Sequence, residues 1–507
     1  MRIHRRFSSA PPPPTDARDP STALRPPFHL RSAQDDSAVW IAILAGILIY
    51  TPPQPATFPR SQQMIALEIA FGPEIDLRAF VSRNLPEGEF RKVVLKPNWV
   101  KHAEHPEFPI EALVTSTALI EATIEACLAK YPTLEKITVG DVPLQTCDWD
   151  LLIRQSGVLR LIEKYRGHTG PTIQVLDLRR ERWRPRAGFM ELDDAHPGDP
   201  LGYAEVVIDH ASLLDEVSHN ADSFRVSDYD PAETVSVHRK GVHRYLIART
   251  ILEADLFINL PKMKTHQKTG ITGALKNLVG INGSKAHLVH HQLGCPAQGG
   301  DEFPDDVSKL FYWQARLRER FQKKSKFLFK TLKTGWELIK KARGIETVGT
   351  RENLGGQFYV GSGSWYGNDS IWRMVYDLNM IILLAHADGG PLRPEPQRTV
   401  VSIMDGLIAG EGNGPLQPLP VKANAMIASR NPFLVDFAMA KLMGYDAEKI
   451  RLLAHHRRFP YAPFADFHPS TVPLTLKGRH FPSGLDAISV LRRFVPPPGW
   501  RDHIELA

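Results

Sequence analysis

From residue 92 onward, short apolar runs alternate with stretches of helical period. Lys92–Val100 (KVVLKPNWV) is a β-branched run that stops at a turn. Lys136–Val139 is closed by Gly140-Asp141, and Thr172–Leu176 and Asp255–Leu260 are compact apolar runs; all four read as buried strands. Between them, Ser116–Ala129, Trp149–Ile153, Leu159–Tyr165 and Tyr245–Glu253 carry apolar residues at helical spacing. Further along, Asp377–Ala385 and Phe433–Met443 predict helices, and Val400–Met404 and Ala425–Ala428 predict strands. Beyond Tyr445 the pattern is irregular, with one short strand at Val472–Leu476. Strand–helix alternation of this kind predicts an α/β fold with a mainly parallel sheet and flanking helices.

One segment departs from that rhythm. Leu310, Trp313, Leu317, Phe321, Leu328, Leu332, Trp336 and Ile339 fall on a single helical stripe, and the opposite face is Lys and Arg. Leu310–Ile339 therefore reads as a basic amphipathic helical insertion between two α/β stretches. The expected division is 1–62 as a disordered tail with a short apolar segment, 63–300 and 351–507 as the two parts of the α/β domain, and 301–350 as the insertion. Met1–Asp36 is rich in proline and shows no apolar period. Ala38–Tyr50 (AVWIAILAGILIY) carries no charge over thirteen residues. As a helix it would reach about 20 Å, short of the roughly 30 Å hydrocarbon core of a bilayer. Three readings stay open for it: a short anchor, an uncleaved signal, or a stretch upstream of a true start at Met64.

Charge sharpens the picture. The net charge is +6, yet Lys309–Arg343 holds twelve Lys or Arg against Glu319 and Glu337. The basic character is local, and an interfacial helix on an anionic membrane surface is its expected use. Nucleic-acid binding is not expected, because the aromatics lie on the apolar stripe and are not free to stack on bases. The three cysteines, Cys127, Cys147 and Cys295, form no C-x-x-C pair, so no iron–sulfur cluster follows from them.

Four blocks, in order, carry a resemblance. They are KPN at Lys96–Asn98, PKMKTHQKTGITGALKNLVGINGSKAHLVHH at Pro261–His291, MDGLIAGEGNGP at Met404–Pro415, and SRNPFLVDFAMAKLMG at Ser429–Gly444. Together they resemble the family named domain of unknown function 362, in a large form without the ferredoxin module that some members carry. The resemblance spans roughly Lys92–Gly444. It implies a fold and a set of candidate positions but no reaction.

The residues themselves suggest a site. In an open parallel sheet, ligands bind beyond the carboxyl ends of the strands. Lys96 and Asn98 end one predicted strand; Lys262, Lys264, Thr265, His266 and Lys268 follow a second on a Lys/His-rich loop; Asp405, Glu411 and Asn413 follow a third. The Gly270–Gly273 turn, with Thr272, leads into a predicted helix Ala274–Val279 bearing Lys276 and Asn277, whose first amides are expected to accept an anion. Lys96, Lys262 and Lys264 are the expected anion ligands, with Asn98, Lys268, Thr272, Lys276, Asn277 and Asn413 beside them. His266 is the candidate general acid/base. Asp405 and Glu411 either orient His266 or, with it, hold a divalent metal. Neither a phosphate-binding G-x-x-x-x-G-K-[ST] loop nor a G-x-S-x-G elbow is present. The favoured expectation is an enzyme acting on an anionic, phosphate- or carboxylate-bearing small molecule at or near a membrane. The alternative is a non-catalytic binding or assembly factor at that membrane.

Overall fold

A computed structural model describes residues 66–186, 189–192, 196–226, 229, 231–306 and 361–507. The tail, Ala38–Tyr50, Met64 and Leu310–Ile339 lie outside the described residues. Among the described residues, no helix is long and apolar enough to cross a membrane.

The elements that build the main sheet and its cover are, in chain order, β1 (Leu67–Phe71), α1 (Leu77–Asn84), β2 (Lys92–Pro97), α2 (Thr117–Lys130), β3 (Lys136–Asp141), β4 (Thr172–Asp177), β5 (Leu256–Leu260), β6 (Lys262–His266), β7 (Gly270–Ile271), α3 (Gly273–Asn277), α4 (Ile371–Leu384), β8 (Thr399–Asn413), β9 (Gln417–Ser429), α5 (Pro432–Leu442), β10 (Leu474–Leu476) and β11 (Arg479–Phe481). The strand order is β11-β10-β1-β9-β8-β5-β2-β3-β4. From β8 to β4 every pair is parallel. On the other side, β9 is antiparallel to both β8 and β1. The sheet is therefore mixed, with parallel pairing from β8 to β4 and antiparallel pairing around β9. A long β8–β9 hairpin, joined at Asn413–Gln417, turns the chain back. Strands from both sides of the 307–360 stretch share this sheet.

In the parallel half, β2, β3 and β5 are buried on both faces, as crossover helices require, while the edge strand β4 is only partly covered. Side chains alternate along each strand. Val93, Leu95, Leu256, Ile258 and Leu260 pack with Phe80, Leu119, Ile120 and Ile124 of α1 and α2. Val94 and Phe257 pack toward α4 and α5. Lys96 and Asn259 are two residues beyond Val94 and Phe257, so they share this second face near the carboxyl ends of their strands. Capping sets the helix starts: Asp76 accepts from Ala79 N at α1, Ser116 from Ala118 N at α2, and Asn431 from Phe433 N at α5, where Pro432 takes the first turn.

Three local expectations change. Tyr245–Glu253 is not a helix: Val242–Ala248 is a strand antiparallel to Tyr203–Val207, followed by a short helix at Arg249–Leu252. His243, Tyr245 and Ile247 are buried while Arg244 and Leu246 are partly exposed, a period of two that the run of apolar residues masked. The expected Lys/His loop is the strand β6, which continues beyond β5 through Pro261 and pairs in parallel with β8. Asp405, Glu411 and Asn413 lie inside β8 rather than on a loop after it.

Candidate functional site

Where β2, β3, β5 and β6 end, α3 closes over them and lysines crowd together. Lys96, Lys262 and Lys264 are at most 1 % exposed, and Lys276 and Lys285 are 7 % and 6 % exposed. Their ammonium groups find different partners. Lys96 Nζ pairs with Asp141 at 2.7 Å. It also donates to the Pro97 carbonyl and to Asn277 Oδ1. Lys262 Nζ pairs with Asp405 at 2.9 Å. Lys264 donates to the carbonyls of Leu113 (2.6 Å) and Pro415. Lys285 donates to those of Val142 (2.7 Å) and Val279. Lys268 reaches the Ser362 carbonyl. Among the described residues, Lys276 has no hydrogen-bond or ion-pair partner, yet it lies within electrostatic reach of Lys285, Lys268 and Lys96.

Among the described residues, Asp141 and Asp405 pair with Lys96 and Lys262, Lys264 and Lys285 are met by carbonyl dipoles, and Lys276 by neither. The consequence is a shift toward neutral amines. Burial, aided by Lys285, Lys268 and Lys96, brings Lys276 down to about 7. Burial, with Lys96 adding to it, brings Lys285 to about 7, although Asp141 opposes the shift. Burial followed by Lys262 holds Lys264 well below the ordinary lysine value.

His266 sits against this cluster. Burial, then Lys276 and His290, keep its imidazole well below its usual range. Its Nδ1 accepts from Lys268 N at 3.1 Å. The neutral ring therefore carries its proton on Nε2 and presents a donor. An Nε2–H on a ring that resists protonation suits hydrogen bonding to an oxyanion. Asp405 does not orient His266. Its oxygens take Lys262 Nζ, Ser116 N and Leu407 N, which ties β6 to the start of α2. Glu411 accepts from Val495 N and Arg492. The trio His266, Asp405 and Glu411 is not assembled as a ligand set, and among the described residues no group of three or more His, Cys, Asp or Glu is placed to hold a metal ion.

Amides link the cluster to the sheet. Asn277 Oδ1 accepts from Asn98 Nδ2 at 2.8 Å, and Asn277 Nδ2 donates to Asn259 Oδ1 at 2.7 Å. Among the described residues, Asn98 Oδ1 and His291 Nδ1 are buried without a hydrogen-bond partner. Thr272 N donates to the Lys264 carbonyl and holds the turn into α3. The α3 amides are not open to an outside anion, contrary to the sequence expectation: Asp436 of α5 accepts from both Ala274 N and Leu275 N. Gly273 makes that contact, with φ +60° and no room for a side chain beside the carboxylate. Asn413 also stands apart. It bonds Gln267 and Gln417 and borders a surface cleft of about 280 Å³ with Lys101, His102 and Phe108.

So the structure brings Lys96, Asn98, Lys264, His266, Lys268, Lys276 and Asn277 together, with Lys262 at the margin. It leaves Asp405, Glu411 and Asn413 engaged elsewhere. Sequence reasoning did not select Lys285 as a ligand, nor Asp141 and Asn259 as their partners. A usable signal for Lys285 was its place between Ile281 and Leu288, both fully buried, where a lysine needs a reason.

A domain of unknown function (DUF362) occupies residues 210–441, as the match to its family model shows. That stretch holds every lysine of the cluster except Lys96. No curated protein and no solved structure matches the chain.

Proposed function

We propose that this protein binds an anionic, phosphate- or carboxylate-bearing small molecule in the buried Lys/His cluster and acts on it as an enzyme. The observation that carries the reading is the shortage of carboxylates. Uncompensated buried cations cost several kcal/mol each, and a bound anion removes that cost. Lys264, Lys276 and Lys285, which have no carboxylate partner among the described residues, hold the anion, and His266 Nε2–H donates to it. Lys96, already paired with Asp141, fixes the wall formed by Asn98 and Asn277. The reading assigns no step to a metal at His266, Asp405 and Glu411, since Asp405 pairs with Lys262 and Glu411 accepts from Val495 N and Arg492. The same geometry serves a non-catalytic binding protein, and turnover of the bound molecule separates the two readings. Association with an anionic membrane surface is part of the proposal. It rests on the composition of Leu310–Ile339 and Ala38–Tyr50 and is checked by co-sedimentation with anionic vesicles at low salt.

The binding test is calorimetric. Inorganic phosphate and citrate are titrated into the full chain at pH 7 and into Lys285→Met and Lys264→Met. Each substitution should weaken binding by about 1.5–3 kcal/mol, the range for a hydrogen bond to a charged group. Absence of binding by both anions, or affinities unchanged in folded variants, overturns the reading.

A further inference from the structure

Lys276 differs from every other lysine in the cluster. Lys96 and Lys262 are neutralised by carboxylates, and Lys264, Lys268 and Lys285 donate to carbonyls. Lys276 does neither among the described residues. It projects from α3, a helix whose amides are already satisfied by Asp436, so its position does not depend on its own ammonium. A buried amine with no acceptor and with cations on several sides has its lone pair available. Desolvation beside other cations is one of the two ways a lysine becomes a nucleophile at neutral pH.

We propose that Lys276 is the amine nucleophile of this site and forms an imine with an anionic ligand that carries a ketone or aldehyde carbonyl. The inference rests on the anion-binding reading and narrows its ligand to oxo-acids and carbonyl-bearing phosphates. Lys264 and Lys285 hold the anionic group, and His266 Nε2–H polarises the carbonyl oxygen. The Lys276 nitrogen lone pair attacks the carbonyl carbon while the C=O π pair moves to oxygen, and one N–H proton passes to that oxygen. The C–O bond of the carbinolamine then breaks, and oxygen departs as water with the second proton of the amine. The nitrogen lone pair completes the C=N bond. Amine and carbonyl give imine and water, with no oxidant or reductant consumed. Burial and the flanking lysines, which bring Lys276 to about 7, keep about half of it neutral at pH 7.

Glyoxylate, a small anionic aldehyde, tests this on the full-length chain. The protein is incubated with glyoxylate and sodium cyanoborohydride at pH 7, and modified lysines are located by peptide mass mapping. Lys276 should be carboxymethylated up to on the order of a thousandfold faster than an ordinary surface lysine, given its larger neutral fraction. Its rate should reach half-maximum near pH 7, and excess inorganic phosphate should block it. The Lys276→Met variant should lose the fast phase. Mapping on the natural chain needs no variant, so a folding failure of Lys276→Met leaves the test intact. Phosphate binding with Lys276 unmodified, or modified no faster than surface lysines, overturns the imine and leaves anion binding standing. Phosphate that binds without protecting Lys276 likewise overturns the imine alone, and failure of both phosphate and citrate to bind overturns both.

Discussion

The ε-amines of Lys276 and Lys285 are poised at about 7 because burial removes their water and neighbouring lysines oppose their charge. A bound anion opposes both effects and raises the two amines in part. The bound state therefore holds protons more tightly than the free state. Affinity should be constant below pH 7, where both amines are already charged. It should then fall as pH rises from 7 to 9, by up to about tenfold per unit for each lysine. Binding at pH 8 should take up protons. Sulfate does not titrate in this range, so calorimetric titrations with sulfate in two buffers of different ionisation enthalpy read the uptake directly. An apparent enthalpy independent of the buffer contradicts the linkage. His266 shows the same physics at a ring: its position in the sequence suggested a base, but only the fold reveals that Nδ1 is occupied and that cations surround it.

At the scale of elements, the 3₁₀ turn Leu278–Ile281 after α3 lies directly against the ion pair that anchors β2 to β3. A Cβ on Gly280 would fall 2.0 Å from Asp141 Oδ1 and 2.6 Å from Lys96 Nζ. Gly280→Ala should force the pair apart and destabilise the protein by about 1–3 kcal/mol, as overpacking does. It should also disorder the Asn98–Asn277 wall, so that anion binding weakens even at temperatures where the variant stays folded. Urea unfolding and phosphate calorimetry on one preparation check both, and a variant with natural stability and affinity refutes the packing argument. This contact also marks how far the sequence could be read. The strands β2, β3, β4 and β5 and the helices α2 and α5 were legible to within a few residues, because a buried run and a helical stripe are local signals. The glycines of Met404–Pro415 act on residues distant in the sequence. A Cβ at Gly410 would lie 3.0 Å from Lys264 Cβ, and one at Gly414 would meet the Thr265 carbonyl, so these glycines let β6 lie on β8. The roles of the carboxylates were hidden for the same reason. Lys262 finds Asp405 across 143 positions, and Ala274 finds Asp436 across 162. Residue type located the lysines, while pairing across the fold decided which of them keep their charge.

Over the whole molecule, a second buried polar network sets a pH response separate from the lysine cluster. His238 Nε2 bonds the His287 carbonyl at 2.7 Å, and His238 Nδ1 lies 3.3 Å from His243 Nδ1. Burial, reinforced by His243, lowers His238 to about 3. Burial lowers His243 to about 4 against the opposing pull of Asp215. Nearby, Asp377 accepts from Ser212 Oγ at 2.5 Å and Tyr245 OH at 2.7 Å, and burial raises it to about 7. Burial likewise raises Asp436 to about 7. The signs oppose each other. The histidines bind protons more tightly when unfolded, so their contribution is full above about 6.5 and is lost as pH falls toward 3 to 4. The carboxyls bind protons more tightly when folded, so theirs is full below about 4 and is lost as pH rises toward 7. Each group contributes a slope of up to about 1.4 kcal/mol per pH unit. From about pH 4 to 6.5 the two pairs offset, and stability should be nearly flat with respect to these four groups. Asp377→Asn keeps an acceptor for Ser212 and Tyr245 but removes one rising carboxyl. Relative to the natural chain it should be more favourable at pH 6.5 than at pH 4.5, by about 1.4 kcal/mol for each pH unit between them. Urea unfolding at the two pH values measures that difference. Equal displacement of the variant at both would mean that Asp377 titrates alike in the folded and unfolded chain, and the balance between the two buried pairs would not exist.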